Sequence, residues 1–177
     1  MKRAAAFLTA LTLAGCGFHP LYGGMNGHMA ATLSTIYVEP IPDKIGYELR
    51  NKMIDLLDGP GTTSGAAYRL KLDLKQTTQG VALQNAQVPG ESTAITRYND
   101  TLTVTFTLTD MAGKVVTKGV ETGLSAYNVL PGVTVAGVPI PNANYGTLAA
   151  QQDADIRAAE DIAERIRLDL NVYFSKR

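Results

Sequence analysis

Apolar and polar residues alternate with a period of two along three long stretches of the chain, and these stretches set the expected architecture. In the first, Tyr68, Leu70, Leu72 and Leu74 alternate with Arg69, Lys71, Asp73 and Lys75, which predicts a strand with one wet face. In the second, Leu102, Val104, Phe106 and Leu108 alternate with Thr101, Thr103, Thr105, Thr107 and Thr109. This is the strongest strand signal in the sequence. The third covers 115–127, where Val116, Val120, Leu124 and Ala126 are expected to continue the inward face. Residues 84–93, containing Pro89-Gly90, and the run Asp110-Met111-Ala112-Gly113 supply turns between them. Strands joined this tightly should be antiparallel neighbours.

A shorter strand is expected over 33–39, with Ile36 and Val38 on one face, stopped by Pro40 and Pro42. Asp43 is placed to cap a helix running to about residue 58, whose apolar stripe is Ile45, Leu49, Met53, Leu56 and Leu57. Gly59-Pro60-Gly61 ends it. A longer helix is expected over 145–174, burying Ile156, Ala159, Ile162, Ala163, Ile166, Leu170 and Tyr173. Its wet side carries Arg157, Glu160, Asp161, Glu164 and Arg167. Asp153, Asp155, Glu160 and Asp161 are read as carboxylates favoured by the dipole at the start of that helix. The order β-α-β-β-β-α implies an α+β fold. It is an antiparallel or mixed four-stranded sheet with two helices packed on one face and the threonine-rich face left open.

Residues 128–143 do not fit a central strand, because Pro131, Pro139 and Pro141 interrupt them. Yet Val129, Leu130, Val133, Val135, Val138 and Ile140 make the stretch apolar. Loops are normally polar, so this one is expected to be covered, either folded back on its own domain as a short hairpin or in contact with a partner.

The start of the chain carries a different pattern. Met1-Lys2-Arg3 is basic and residues 4–14 are uncharged and mostly apolar. Eleven helical residues rise about 16 Å, too short to span a bilayer, and the pattern is that of a secretory signal. Leu13-Ala14-Gly15-Cys16 resembles the lipobox of bacterial lipoproteins. That resemblance implies diacylglyceryl transfer to the Cys16 thiol, cleavage after Gly15 and acylation of the new amino terminus. Several acyl chains hold a protein to a membrane where one does not. Cys16 is the only cysteine, so no internal disulfide competes for it. The alternative is an ordinary signal peptide followed by a stray buried cysteine. Lipoproteins kept in the inner membrane resemble one another in an aspartate after the cysteine. Here Gly17 stands there, which points to the outer membrane, facing the periplasm. The expected divisions are a signal peptide over 1–15, a lipidated cysteine and flexible tether over 16–31, and one α+β domain over 32–177.

Composition narrows the function. The chain has 16 basic and 16 acidic residues, and Lys2 and Arg3 leave with the signal, so the mature charge is 14 minus 16, or −2. A near-neutral domain argues against nucleic acid, which selects a basic face. The two histidines, His19 and His28, both fall in the tether and lack companions for a metal site. With the sole cysteine assigned to lipid, no thiol nucleophile remains, and no glycine-rich phosphate loop follows a strand. The chain is expected to bind or scaffold, with no cofactor, and not to catalyse. Arg69, Lys71 and Lys75 lie on the wet face of the first long strand, and Arg97 and Lys118 near the next two. They suit either a phosphorylated glycolipid or simple edge protection.

Several runs carry a further resemblance. Cys16-Gly17-Phe18-His19-Pro20-Leu21-Tyr22-Gly23 resembles the mature start of the LptE lipoproteins of α-proteobacteria. Ile36-Tyr37-Val38-Glu39-Pro40-Ile41-Pro42-Asp43, leading into Gly46-Tyr47-Glu48-Leu49-Arg50-Asn51, is similar to that family's first strand and helix. Ser125-Ala126-Tyr127-Asn128, and Tyr145-Gly146-Thr147-Leu148-Ala149-Ala150-Gln151-Gln152-Asp153-Ala154, resemble the approach to its final helix. Residues 129–143 are longer and more apolar than the usual connection. The resemblance implies a non-enzymatic protein that plugs and helps assemble the lipopolysaccharide-transport β-barrel, an LptD-type partner, and aids delivery of lipopolysaccharide to the outer leaflet. It also implies lipopolysaccharide contact through basic residues, for which Arg97 and Lys118 are the candidates. A free-standing periplasmic lipid-binding or chaperone lipoprotein is the alternative, and an anchored hydrolase would need an ordered nucleophile and base that the sequence lacks.

Overall fold

Three long strands and one long helix dominate the computed structural model, which describes residues 26–84, 94–129, 134–135, 138–139 and 143–176. In chain order the elements are α1 (Asn26–Leu33), β1 (Ile36–Val38), α2 (Lys44–Leu57), β2 (Tyr68–Gln84), β3 (Ala94–Asp110), β4 (Val115–Asn128), β5 (Thr134–Val135), β6 (Val138–Pro139) and α3 (Ala143–Ser175). The sheet order is β1-β2-β3-β4. β1 runs parallel to β2, as a helical crossover requires, and β2, β3 and β4 are antiparallel. The mixed four-stranded sheet and the β-α-β-β-β-α order are as the periodicities imply.

The core lies between the sheet and the helices. Leu70, Leu72, Leu102, Val104, Phe106 and Leu108 project from the inner face. They meet Leu49, Met53 and Leu57 of α2 and Ala158, Ala159, Ile162, Ala163, Ile166 and Leu170 of α3. The alanines on α3 allow close helix–sheet approach, while Ile162, Ile166 and Leu170 supply apolar area. Both predicted stripes hold at their centres. At their edges Ile45, Leu56, Ile156 and Tyr173 are only half-buried, and Arg167 of the wet side is half-buried too.

Three local features differ from expectation. Residues 26–33 form α1 where a flexible tether and the start of a strand are predicted, and α1 buries Leu33 and packs Met29 on the core. The last helix begins at Ala143, so Asp153, Asp155, Glu160 and Asp161 lie well inside it and its first turn holds no acid. They are placed by pairing rather than by the dipole. Asp153 meets Arg157, Asp161 meets Arg165 at 2.6 Å and Glu160 meets Lys52 at 3.5 Å, while Asp155 is buried.

The third difference is the facing of β4. Val120 is 59% exposed and Leu124 76%, whereas Gly123 and Tyr127 are buried. A one-residue irregularity beside Leu108 and Thr109 leaves Val116 unmatched on β4. It packs Val116 on the core and sends the later even positions, Lys118 to Ala126, to the outer side. Glycines decide that register. A Cβ at Gly119 would stand 2.5 Å from the Phe106 ring, and one at Gly123 2.9 Å from Ile162 Cδ1 and 3.0 Å from the Ala158 carbonyl oxygen. At these two positions only a residue without a side chain fits between β4 and the layer beneath.

Asp43 occupies the N-cap position of α2, but its side chain makes no capping hydrogen bond. Its backbone sits at φ 68°, ψ 165°, a region open essentially to glycine and costing others about 1–3 kcal/mol. Asp43→Gly should therefore be more stable than Asp43→Ala by about 1 kcal/mol after allowing for glycine's unfolded-state freedom. Thermal unfolding of the two variants checks this, and an alanine variant at least as stable would show that the backbone relaxes.

Candidate partner-binding face

The helices all pack on one side of the sheet, so the opposite side is the natural place for a partner. Its rows follow from the strand register. Lys71, Thr107 and Lys118 form one row, and Asp73, Thr105 and Val120 the next. Lys75, Thr103 and Thr122 follow, then Thr77, Thr101 and Leu124. A polar threonine ladder on β3 is thus flanked by a charged strand on one side and by an apolar pair, Val120 and Leu124, on the other. Threonine hydroxyls donate and accept without charge, so this surface suits a polar wall. The Lys71 ammonium is held by Asp73, whose Oδ2 accepts from it at 3.0 Å. That hydrogen bond, then the Asp73 charge, raises the lysine above its ordinary value.

The structure puts Arg97 and Lys118 on this same outer face, both exposed. It does not bring them together. Lys118 stands opposite Thr107, ten positions along β3 from Arg97, a separation of about 33 Å along the strand. One phosphate cannot be gripped by both. Lys71, two strands from Lys118 across Thr107, is the nearer cation, about 10 Å away. Of the apolar stretch, Val135 and Val138 are partnered in the small β5–β6 hairpin and Val129 is half-buried. Leu130, Val133 and Ile140 lie outside the described residues, as do Cys16, His19 and the leader. Among the described residues, no group of three or more His, Cys, Asp or Glu could hold a metal ion, and no helix is long and apolar enough to cross a membrane.

Residues 33–170 match the family model LptE, Lipopolysaccharide-assembly. The chain belongs to the LptE family. Among curated proteins none matches it. Of solved structures, a candidate lipoprotein from Caulobacter crescentus CB15 is similar at 28% identity with a TM-score of 0.63, covering 87% of this chain and 100% of that one. A minor lipoprotein from Acinetobacter baumannii shares the fold at 17% identity and TM-score 0.51, covering 78% and 92%. The LptE fold is thus found here with its outer sheet face uncovered by any of the described helices.

Behind that face, this LptE chain holds a buried polar group that the sequence reading did not single out. Asp100 on β3 is fully buried and Asp155 on α3 is 6% exposed. Gln76 Nε2 donates to Asp155 Oδ1 at 3.1 Å, while among the described residues both oxygens of Asp100 lack a donor and Ser125 Oγ lacks a partner. Burial, then the charge of Asp100 and a hydrogen bond to it, pushes the Asp155 carboxyl up to about 6. A proton on Asp155 supplies the donor that Asp100 otherwise lacks. Tyr127 beside them is also raised, by burial first and then by the charges of Asp100 and Asp155. The signal was available. Asp100 shares its parity with inward Leu102, and Asp155 stands seven positions before Ile162 on the α3 stripe.

Proposed function

We infer that this LptE-family chain is a non-enzymatic lipoprotein of the outer membrane, anchored through acylated Cys16 after removal of residues 1–15. It seats within an LptD-type β-barrel, assists the assembly of that barrel and aids passage of lipopolysaccharide to the outer leaflet. The observation that carries this reading is the family match across nearly all of the folded domain. The open sheet face supports it: a barrel lumen is polar, and a threonine ladder backed by two layers of side chains is a rigid polar insert. Val120, Leu124 and the apolar residues from Val129 to Ile140 are the contacts assigned to the barrel wall, and Arg97 and Lys118 those assigned to lipopolysaccharide.

The test is a mild-detergent pull-down of the tagged full chain, with mass spectrometry of what accompanies it. A stoichiometric large barrel is expected, whereas a lone, lipid-loaded monomer overturns the reading. Leu124→Asp sharpens the test, because a 76% exposed side chain contributes little to folding. Its stability should stay within about 0.5 kcal/mol of the parent, while the recovered barrel falls several-fold. Intact recovery would remove Leu124 from the contact.

A further inference from the structure

A second feature lies at the other side of the molecule. Between α1, the end of α2 and α3 is a cavity of about 340 Å³, lined among others by Ala30, Leu33, Ser34, Leu56, Asp58 and Arg167. Alanines and leucines line much of it, and two charged side chains, Arg167 and Asp58, stand on its wall beside Ser34. An arginine guanidinium keeps its charge in a protein, and among the described residues the Nε of Arg167, shielded from solvent, has no acceptor. Among the described residues Arg167 makes no ion pair; Asp58, on the same cavity, does not reach it. A fork of N–H groups without a carboxylate, at a partly apolar recess, matches a phosphate or carboxylate carried on an apolar body.

Size and position restrict the occupant. A recess of about 340 Å³ that opens to solvent has room for a glycerophosphate group. The wall helix α1 starts at Asn26, ten residues after Cys16, and ten extended residues reach at most about 36 Å. If Cys16 carries the membrane anchor, the cavity lies within reach of the bilayer surface. We propose that this cavity binds the phosphate headgroup of an anionic phospholipid, with Arg167 gripping the phosphate and Leu33 and Leu56 meeting the glycerol and first methylenes. Placing the ligand in the membrane rests on the lipoprotein reading above; the cavity and its unpaired cation do not.

The experiment is a calorimetric titration of the full chain, in neutral detergent, with dihexanoylphosphatidylglycerol. One site is expected. Arg167→Gln should weaken it at least about tenfold, and Arg167→Lys about threefold, since lysine keeps charge but loses the fork. Ala31→Phe, which fills the cavity from an exposed helix position and leaves the arginine in place, should abolish binding without lowering the melting temperature. Lys114→Gln, in the exposed turn between β3 and β4, should leave it unchanged. Unaltered binding by Arg167→Gln overturns the proposal. So does equal competition by inorganic phosphate, which would make this a free-anion site, or dependence on Arg167 seen with lipopolysaccharide and not with the phospholipid. The intact mass of the same preparation reports acylation separately. An unacylated chain that still binds the lipid through Arg167 overturns only the anchor, and an acylated chain indifferent to Arg167 overturns only the cavity.

Discussion

Gly123→Val is expected to lower unfolding stability by about 3 kcal/mol or more, the value typical of severe overpacking in a core. The added Cβ would stand 2.9 Å from Ile162 Cδ1 and 3.0 Å from the backbone oxygen of Ala158. The isoleucine methyl can turn aside; the helix backbone cannot. Valine's preference for strands offsets at most about 1 kcal/mol, so the net effect is the displacement of α3 from β4. Thr122→Val, next door on the open face, should change stability by under about 0.5 kcal/mol. Urea unfolding of both variants checks the pair of expectations. Pairing Gly123→Ala with Ile162→Val, which removes the facing methyl, should recover part of the loss of the single alanine variant. Full additivity would mean that the two sites do not touch.

Asp155→Asn is expected to stabilise the protein at pH 7.5 and to flatten its pH dependence. An unfolded chain releases this proton near 3.8 and the native chain near 6. Between those values the native state binds more protons than the unfolded one, so stability falls as pH rises. The contribution of the raised group is complete below 3.8 and lost above 6; a displacement of that size is worth about 3 kcal/mol in full and about 2 kcal/mol after solvent screening of the carboxyl. Asparagine is neutral at every pH. Its oxygen can still accept from Gln76 and its amide can donate to Asp100, so it imitates the protonated acid. The variant should therefore gain about 1–2 kcal/mol over the parent at pH 7.5 and little at pH 4. Denaturant unfolding at the two pH values measures this directly. Equal pH slopes for parent and variant would show that the two carboxyls do not share a proton.

Much of this fold is legible in β2 and β3, because strict alternation of apolar and polar residues over 68–75 and 101–109 marks half-buried strands. β4 is misread for a physical reason. Its inward positions include Gly119 and Gly123, which carry no hydrophobic signal, while the strongest apolar residues, Val120 and Leu124, point outward. A pattern of apolar residues cannot report a surface where the backbone itself must be bare. α1 escapes notice because eight residues rich in small side chains show no clear stripe, and it is held by Leu33 and Met29 packing on the core. Asp100 and Asp155 were visible as polar residues at inward positions, but only their meeting across the helix–sheet boundary gives them a chemistry. Arg97 and Lys118 share the outer face, yet strand length separates them, and no sequence pattern states how far apart two cations lie.

The length of the β2–β3 ribbon has one more consequence. β2 leaves the α1 end of the molecule at Tyr68 and runs through seventeen residues to Gln84, about 50 Å at the usual rise of a strand. The helices cover only part of that distance, and Thr77 to Val81 are exposed on both sides of the sheet. A bilayer measures about 40–45 Å with its headgroups. Were the chain anchored through Cys16 as proposed, it would carry a ruler about as long as the membrane is thick, with its foot at the anchored leaflet and its tip level with the opposite one.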